Sequence, residues 1–485
     1  MLLKILVLYA LLNIVYSASE HPILLIVSYD AFKYNFFDTK LVPNMERIRK
    51  NGTYSDYLIN VFPTKTFPNH HSIATGLYPE VHGVIGNSYF DQDRSTLQKM
   101  GKDMFSYNKG VVPIWRLNED SGKGRYSGSM MWPGAVFPYQ GKNITYRQDF
   151  DSKIDWYKRI DTVITWLTDP YKPANLVMLY IEEPDTHAHA LGPHSQTVLQ
   201  LLRDLDNITL YLKEQLEKHK LADKANVIHL SDHGLVGVKP TNFINITQYM
   251  KNGTYNMADS SPVLQIYPKK GYQQKIYDSL KAGSQKNGHF KVYLKKDFPK
   301  QWHYKKSTRS PPILVMSDVG YAMDDLIESA PLYAKAYNFT LTNNSEFGVH
   351  GYETNVTEMR PFFMARGPKI KVGHKVAPFH TVDLFNLFTK ILEIPHLPNN
   401  GSMGNIVEIL TEKPASHTFG SILVVTAVGV LIAVLIVSAA ASIALAIVKR
   451  QQTIATAAAL NKRFPQTFVR NDAVEVQHLL EPEDA

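Results

Sequence analysis

Unbroken apolar runs and helically spaced ones alternate along this chain. Residues 22–30, PILLIVSYD, are apolar almost throughout and close on an acid. Such a run suits a strand buried on both faces, with Asp30 at its carboxyl end. Residues 176–181, LVMLYI, form a second run and lead into Glu182, Glu183, Pro184, Asp185, Thr186, His187, Ala188 and His189. Residues 226–230, NVIHL, form a third, followed at once by Ser231, Asp232, His233 and Gly234. Between the last two, Val198, Leu201, Leu202, Leu205, Ile208, Leu212 and Leu216 keep helical spacing and predict a core-facing helix over 195–220. Helices are also expected over 45–50 (closed by Gly52), 156–167, 273–282 and 382–392, and strands over 262–267 and 313–318. Strand, helix and strand in this order imply right-handed crossovers. The fold class is therefore α/β, a mostly parallel central sheet with helices on both faces. Ligands of such sheets collect at the carboxyl ends of the strands, where all three acid and histidine clusters fall.

Three other stretches stand out. Residues 60–87 read NVFPTKTFPNHHSIATGLYPEVHGVIGN. Pro68 stands where a helix begins, 70–75 continues it and Gly76 ends it. Thr66 then lies at a helix N-terminus, among free N–H groups suited to an anion. Residues 113–134 mix aromatics with turns and are expected to wall a pocket. Residues 346–352, EFGVHGY, form a glycine-flanked loop presenting His350. The Pro/Asn/Gly-rich run 395–401 closes the domain, and no internal repeat is present.

The chain's ends give it an address. Among its 485 residues, 1–17 read as a signal peptide, with Lys4 ahead of an apolar run and small residues at 17–19. Residues 422–448 are almost wholly apolar and followed by Lys449 and Arg450, as a span with a cytoplasmic flank would be. The expected organisation is an ectodomain over 18–402, a linker over 403–419, a transmembrane helix over 420–448 and a tail over 449–485: a type I, single-pass protein of the cell membrane. N-glycosylation sequons at Asn51, Asn143, Asn207, Asn245, Asn252, Asn338, Asn343, Asn355 and Asn400 all precede the span. The long polar tail argues against a cleaved lipid-anchor signal. The absence of cysteine excludes thiolate metal sites, cysteine nucleophiles and Cys-rich modules. A net charge of +8 is modest for this length, and no basic-aromatic stripe suggests nucleic-acid binding.

Taken singly, each polar cluster has an ordinary reading. Thr66 would be an N-cap, Asp30 a turn cap, and His189 a surface or core histidine. Taken together they supply oxygen and nitrogen ligands of the kind zinc accepts. Two such ions roughly 4 Å apart clamp in-line displacement at phosphorus. A hydroxyl beside them becomes a nucleophile when a metal ion removes its proton.

The motifs Pro63-Thr64-Lys65-Thr66-Phe67-Pro68-Asn69-His70, Glu182-Glu183-Pro184-Asp185 with His189, Ser231-Asp232-His233-Gly234 and Gly348-Val349-His350-Gly351 resemble those of the ectonucleotide pyrophosphatase/phosphodiesterase family, within the alkaline phosphatase superfamily. The resemblance spans nearly the whole ectodomain and is nearest to the short, membrane-anchored members. It implies two zinc ions, one held by Asp185, His189 and His350, the other by Asp30, Asp232 and His233 together with the nucleophile Thr66. It implies that Asn87 and the Phe67 N–H hold a phosphate oxygen, that Phe67 and Phe150 flank a nucleobase, and that Tyr180 lies beside the site. Ala31 and Ala188 stand where the family usually has Gly, Leu235 where Met is common, and His71 where Tyr is usual. None of these removes a ligand.

The activity so implied is two-step hydrolysis of phosphodiester or pyrophosphate bonds in extracellular nucleotides or dinucleotides, through a phosphothreonine on Thr66, releasing nucleoside monophosphates. A choline phosphodiesterase acting on lysophospholipids or sphingomyelin shares the fold, and an inactive receptor ectodomain is the reading from another class. In the tail, residues 475–480, EVQHLL, resemble an acidic dileucine sorting signal.

Overall fold

Every residue of the strand Ile23–Tyr29 is buried, and its side chains alternate between two cores. Leu24 and Ile26 meet Ile73, Trp115, Leu384 and Phe388 on one face; Leu25, Val27 and Tyr29 meet Met45, Ile160, Leu202 and Leu212 on the other. A strand covered by helices on both faces has no polar side, hence the unbroken apolar sequence. The structure, a computed structural model, describes residues 18–411 and 434–456. Its central sheet has eight strands in the order His374–Val376, Thr53–Ser55, Phe363–Arg366, Ala225–Leu230, Ile23–Tyr29, Leu176–Ile181, Ser127–Met130 and Tyr146–Gln148. Phe363–Arg366 alone runs against the others, so the sheet is mostly parallel, as expected.

The expected helices form with small shifts. Pro43–Asn51 ends at Gly52; Trp156–Leu167 is capped by Asp155, which accepts from the N–H groups of Tyr157 and Lys158; Gln196–Lys218 is capped by Ser195. Gln273–Asn287 continues past 282 because Gly283 is not a stop. A Cβ there would lie 2.7 Å from the Tyr249 ring, so this glycine serves close packing. Leu384–Leu392 follows a 3₁₀ turn at Thr381–Asp383.

A second, antiparallel sheet of four strands orders as Tyr255–Ala258, Val263–Pro268, Ile313–Ser317 and Phe290–Leu294. The sequence pattern foretold only two of these. Phe290–Leu294 is an edge strand that turns Lys291 to solvent, and so lacks a continuous apolar run. The helix Asp324–Ala336 was also missed, since Pro331 interrupts its pattern.

Three expectations change. Residues 113–134 are core rather than pocket wall: Trp115 and Trp132 are both buried, and Trp132 meets the His70 ring edge-on with centroids 4.9 Å apart. The loop at 346–352 contains a short strand, Phe347–Val349, paired antiparallel with Val236–Val238. Packing also runs past residue 402 into the expected linker: Ile406 and Ile409 lie in the main core, and Leu410 bridges to Ile370. Apolar residues sparsely set among Gly, Ser and Asn hid this last contribution. All nine sequon asparagines are exposed.

The C-terminal unit, described by itself, contains the helix Val434–Thr456, whose 23 residues are apolar enough to cross a membrane. It overlaps the expected span and continues through Lys449 and Arg450. The signal peptide 1–17, residues 412–433 and the tail 457–485 with its dileucine-like stretch lie outside the described residues.

One core residue makes stability depend on pH. His71 is fully buried against Phe105, His82 and Tyr139, with neither ring nitrogen hydrogen-bonded. Burial pushes it from 6.5 down to about 3. Its folded-state pKa lies below its unfolded one, so its stabilisation is complete above about 6.5 and is lost as pH falls toward about 3. The slope is about 1.4 kcal/mol per pH unit for one proton. Urea unfolding between neutral pH and about pH 4 should show His71→Phe losing one proton's worth of this slope; parallel curves would refute it.

Candidate active site

Residues far apart in sequence meet because their strands are neighbours. Asp30 follows Ile23–Tyr29, Asp185 opens the helix Asp185–Leu191 just beyond Leu176–Ile181, and Asp232 and His233 follow Ala225–Leu230. Ile23–Tyr29 lies between the other two strands, so all three carboxylates gather at one edge. His350 arrives on the Phe347–Val349 ladder, its ring stacked on His233 at 3.7 Å. His189 follows Asp185 by one helical turn.

The six side chains form one cluster. His233 Nε2 lies 3.1 Å from Asp232 Oδ2 and 3.3 Å from Asp30 Oδ1. Asp185 Oδ2 is 3.3 Å from His189 Nε2, and its Oδ1 is 3.6 Å from His350 Nε2. The donor atoms of Asp185, His189 and His350 lie within 4.8 Å of one another, as do those of Asp30, Asp185 and His233. The motif resemblance implies Asp185 as a ligand of one ion, and its carboxylate also lies within reach of the second group.

The donor set fits a cation. The Nδ1–H of His233 donates to the Gly234 carbonyl (3.0 Å), that of His350 to Thr64 O (3.0 Å) and that of His189 to Gly348 O (2.9 Å). Each Nε2 therefore turns a lone pair inward, the arrangement that orients metal-bound histidines. The Nε2 atoms of His189 and His350 are only 3.2 Å apart. A metal ion between them, or a proton on one of them, removes the repulsion of two facing lone pairs. Asp30 Oδ1, Asp185 Oδ1 and Asp232 Oδ2 are also buried without hydrogen bonds. Such orphaned acceptors are what a metal ion satisfies.

Electrostatics point the same way. Burial, then the neighbouring Asp232 and Asp185, push Asp30 well above the usual carboxylate range. Burial acts against ionisation of Asp232 too, but His233 and His70 overcome it and bring it to about 2. Asp185 is likewise held low, with burial outweighed by His189 and His350. Burial keeps His233 and His350 below the ordinary value, hence neutral and able to ligate, whereas at His189 burial is outweighed by Asp185, which raises it.

Thr66 is not the N-cap. Lys65 holds that position, extended and without a side-chain cap, and Thr66 opens the helix Thr66–Thr75 two residues earlier than Pro68 suggested. Its Oγ1 lies 3.3 Å from His233 Nε2, to which the hydroxyl can donate. The loop before it is held by residues whose roles the sequence concealed. Asn69 Nδ2 donates to the carbonyls of Val61, Pro63 and Lys65, and its Oδ1 accepts from Val61 N. Thr64 Oγ1 donates to Tyr352 O and accepts from Gly351 N, tying this loop to that of His350. His70 donates from Nδ1 to Thr66 O (2.8 Å) and contacts Ser28 Oγ (2.9 Å).

Lys65 points away from the cluster. Its ammonium donates to Asp259 Oδ1 (2.9 Å), Ser260 O (2.6 Å) and Ser260 Oγ (3.0 Å), and both charged side chains are 1 % exposed. Burial raises Asp259 and Lys65 opposes it. Lys65→Met leaves that buried carboxylate without its counter-charge, holding only Gln265 Nε2 and backbone N–H donors, a loss of about 3–5 kcal/mol. Denaturant unfolding of the variant checks this; a loss under about 1 kcal/mol would show that Asp259 is neutral or finds another partner.

Ala31 has φ +59° where the family prefers glycine, and in that left-handed conformation its N–H donates to Asp232 Oδ1 at 3.2 Å. Arg159, fully buried, grips Glu182 with two guanidinium nitrogens three residues before Asp185.

The remaining expected residues surround the cluster. Phe67 N donates to Asn87 Oδ1 (3.0 Å), so the two groups expected to hold a phosphate oxygen bond to each other and leave Asn87 Nδ2 without a partner among the described residues. Tyr180 donates its hydroxyl to Asp30 Oδ2. Phe150, half exposed, lies 6.4 Å from the Tyr180 ring, while Phe67 packs on Phe105.

Comparison with known proteins agrees with this geometry. The family described as type I phosphodiesterase / nucleotide pyrophosphatase matches residues 24–353. The chain is 32% identical over 389 residues to human ectonucleotide pyrophosphatase/phosphodiesterase family member 5, covering 80% of this chain and 77% of that one. It is 32% identical over 401 residues to mouse bis(5'-adenosyl)-triphosphatase, covering 82% and 83%. Among solved structures, an inactive threonine-to-alanine variant of mouse family member 5 in complex with AMP superposes with a TM-score of 0.73 at 30% identity, covering 81% of this chain and all of that one.

Proposed function

This chain belongs to the type I phosphodiesterase / nucleotide pyrophosphatase family, and from that premise we propose that it is a zinc-dependent, cell-surface hydrolase that splits nucleotide phosphodiester and pyrophosphate bonds through a phosphothreonine on Thr66. The carrying observation is the Thr66 hydroxyl at a helix N-terminus, 3.3 Å from His233 Nε2 and beside inward-facing Asp and His donors. Asp185, His189 and His350 would hold one zinc ion; Asp30, Asp232 and His233, with Thr66, would hold the other. When bound, zinc would lower the pKa of a coordinated hydroxyl and offset charge on phosphate oxygens.

The residues divide the work. Thr66 Oγ attacks phosphorus in line and displaces the leaving group. Water then cleaves the Thr66 ester and frees the nucleoside monophosphate. Asn87 Nδ2 donates to an equatorial phosphate oxygen, and Phe67 N–H, exchanging its Asn87 bond for the substrate, donates to another or the same one. Tyr180 holds Asp30 in place. Phe67 and Phe150 offer aromatic faces to the base. Nine exposed sequons and the apolar helix Val434–Thr456 support glycosylation and a type I, single-span anchor.

The test is hydrolysis by the zinc-loaded protein of a nucleotide phosphodiester, a dinucleoside polyphosphate and a choline phosphodiester. Release of nucleoside monophosphate supports the proposal. Turnover of the choline ester alone replaces it with lipid phosphodiester chemistry, and no turnover with zinc bound makes the domain a receptor.

A further inference from the structure

Arg366 ends the strand Phe363–Arg366, at the opposite end from Phe363, which pairs with Leu230 close to Asp232. Its guanidinium makes no hydrogen bond or ion pair among the described residues, and its Nε is buried. A buried guanidinium N–H without an acceptor is uncommon and favours a counter-group at that spot. Arg366 lines a pocket of about 160 Å³. Asn44, Arg47 and Asn51 reach it from one face of Pro43–Asn51, and Lys213 from Gln196–Lys218.

No acidic residue lines this pocket. Asp206, beneath Asn44, is committed to the N–H groups of Asn44 and Met45 and to the Asn44 amide. Glu217, the acid that acts on Arg366, is held by Lys213 at 2.5 Å. Arg47 has one long contact, 3.4 Å to Asn44 Oδ1. Two guanidiniums and an ammonium therefore line a space whose nearby carboxylates, Glu217 and Asp206, both lie outside it.

We propose that this pocket binds a tetrahedral oxyanion, phosphate or sulfate, remote from the Asp/His cluster. Forked guanidinium donors match two oxygens of one such ion, and the volume, about five waters' worth, admits it.

Thermal unfolding of the full chain in phosphate-free buffer tests this, with sodium phosphate, sodium sulfate or sodium chloride titrated at matched ionic strength. Phosphate or sulfate should raise the wild-type midpoint saturably, chloride should not, and response to one oxyanion or both identifies the ion. Arg366→Met should melt about as high as wild type without oxyanion, since a buried unpaired Nε–H is gone, yet gain nothing from phosphate. Arg47→Gln should raise the half-saturating concentration roughly tenfold, and it decides the matter if the Arg366 variant fails to fold. Asp185→Asn, altered in the Asp/His cluster, should respond like wild type. A phosphate response lost in Asp185→Asn would move the anion to the cluster and overturn the proposal. Wild-type curves in phosphate and sulfate equal to those in chloride, or a phosphate-induced shift in Arg366→Met equal to that of wild type, would overturn the proposal.

Discussion

Thr66→Ala should lower turnover roughly a thousandfold or more while leaving fold and bound metal intact. The expectation is sharp because the Thr66 hydroxyl has little structural duty. It does not cap its helix, and its one side-chain hydrogen bond goes to His233. The loop is held instead by Asn69, Thr64 and Lys65, none of which the variant alters. Losing one neutral hydrogen bond costs about 1 kcal/mol, whereas losing the nucleophile removes the covalent route. Activity, unfolding midpoint and metal content measured on one preparation separate the two. Near-normal turnover would sink the assigned nucleophile, and a collapsed midpoint would show that the hydroxyl is structural.

Asp185→Asn should abolish activity by removing metal rather than a reacting group. Its two oxygens face different neighbours, Oδ2 toward His189 and Oδ1 toward His350, and the carboxylate belongs to both donor groups. An amide offers one weak oxygen ligand and no charge, against three imidazoles locked with their lone pairs inward. Elemental analysis should find at least one zinc ion fewer per chain, and excess zinc should restore little turnover. Glu182 makes a useful contrast: it is bound to Arg159, so Glu182→Gln should weaken the loop without directly removing a ligand. A full zinc load in Asp185→Asn would place this carboxylate outside the metal site.

Much of this protein is readable from local pattern. Strands buried on both faces must be apolar along their length, so Ile23–Tyr29, Leu176–Ile181 and Ala225–Leu230 announce themselves. Helices with one face in the core must repeat their apolar residues, as Gln196–Lys218 does. Because ligands bind where such strands end, Asp30, Asp185, His189 and the Asp232–His233 pair stood out as candidates, as did Thr66 at a helix start and His350 in a glycine-flanked loop; the resemblance of short motifs to a family supplied their expected roles. Tertiary structure decided what local pattern does not encode. That Asp185 serves both donor groups follows from Ile23–Tyr29 lying between its two neighbours, a strand order. That Lys65 is a buried anchor depends on Asp259, 194 residues away. That Asn87 accepts from Phe67, that His71 is neutral and that Arg366 Nε has no hydrogen-bond partner among the described residues all depend on what surrounds each group. Apolar periodicity records which side of an element faces the core; the partner of a buried polar atom is set by contacts between segments distant in sequence.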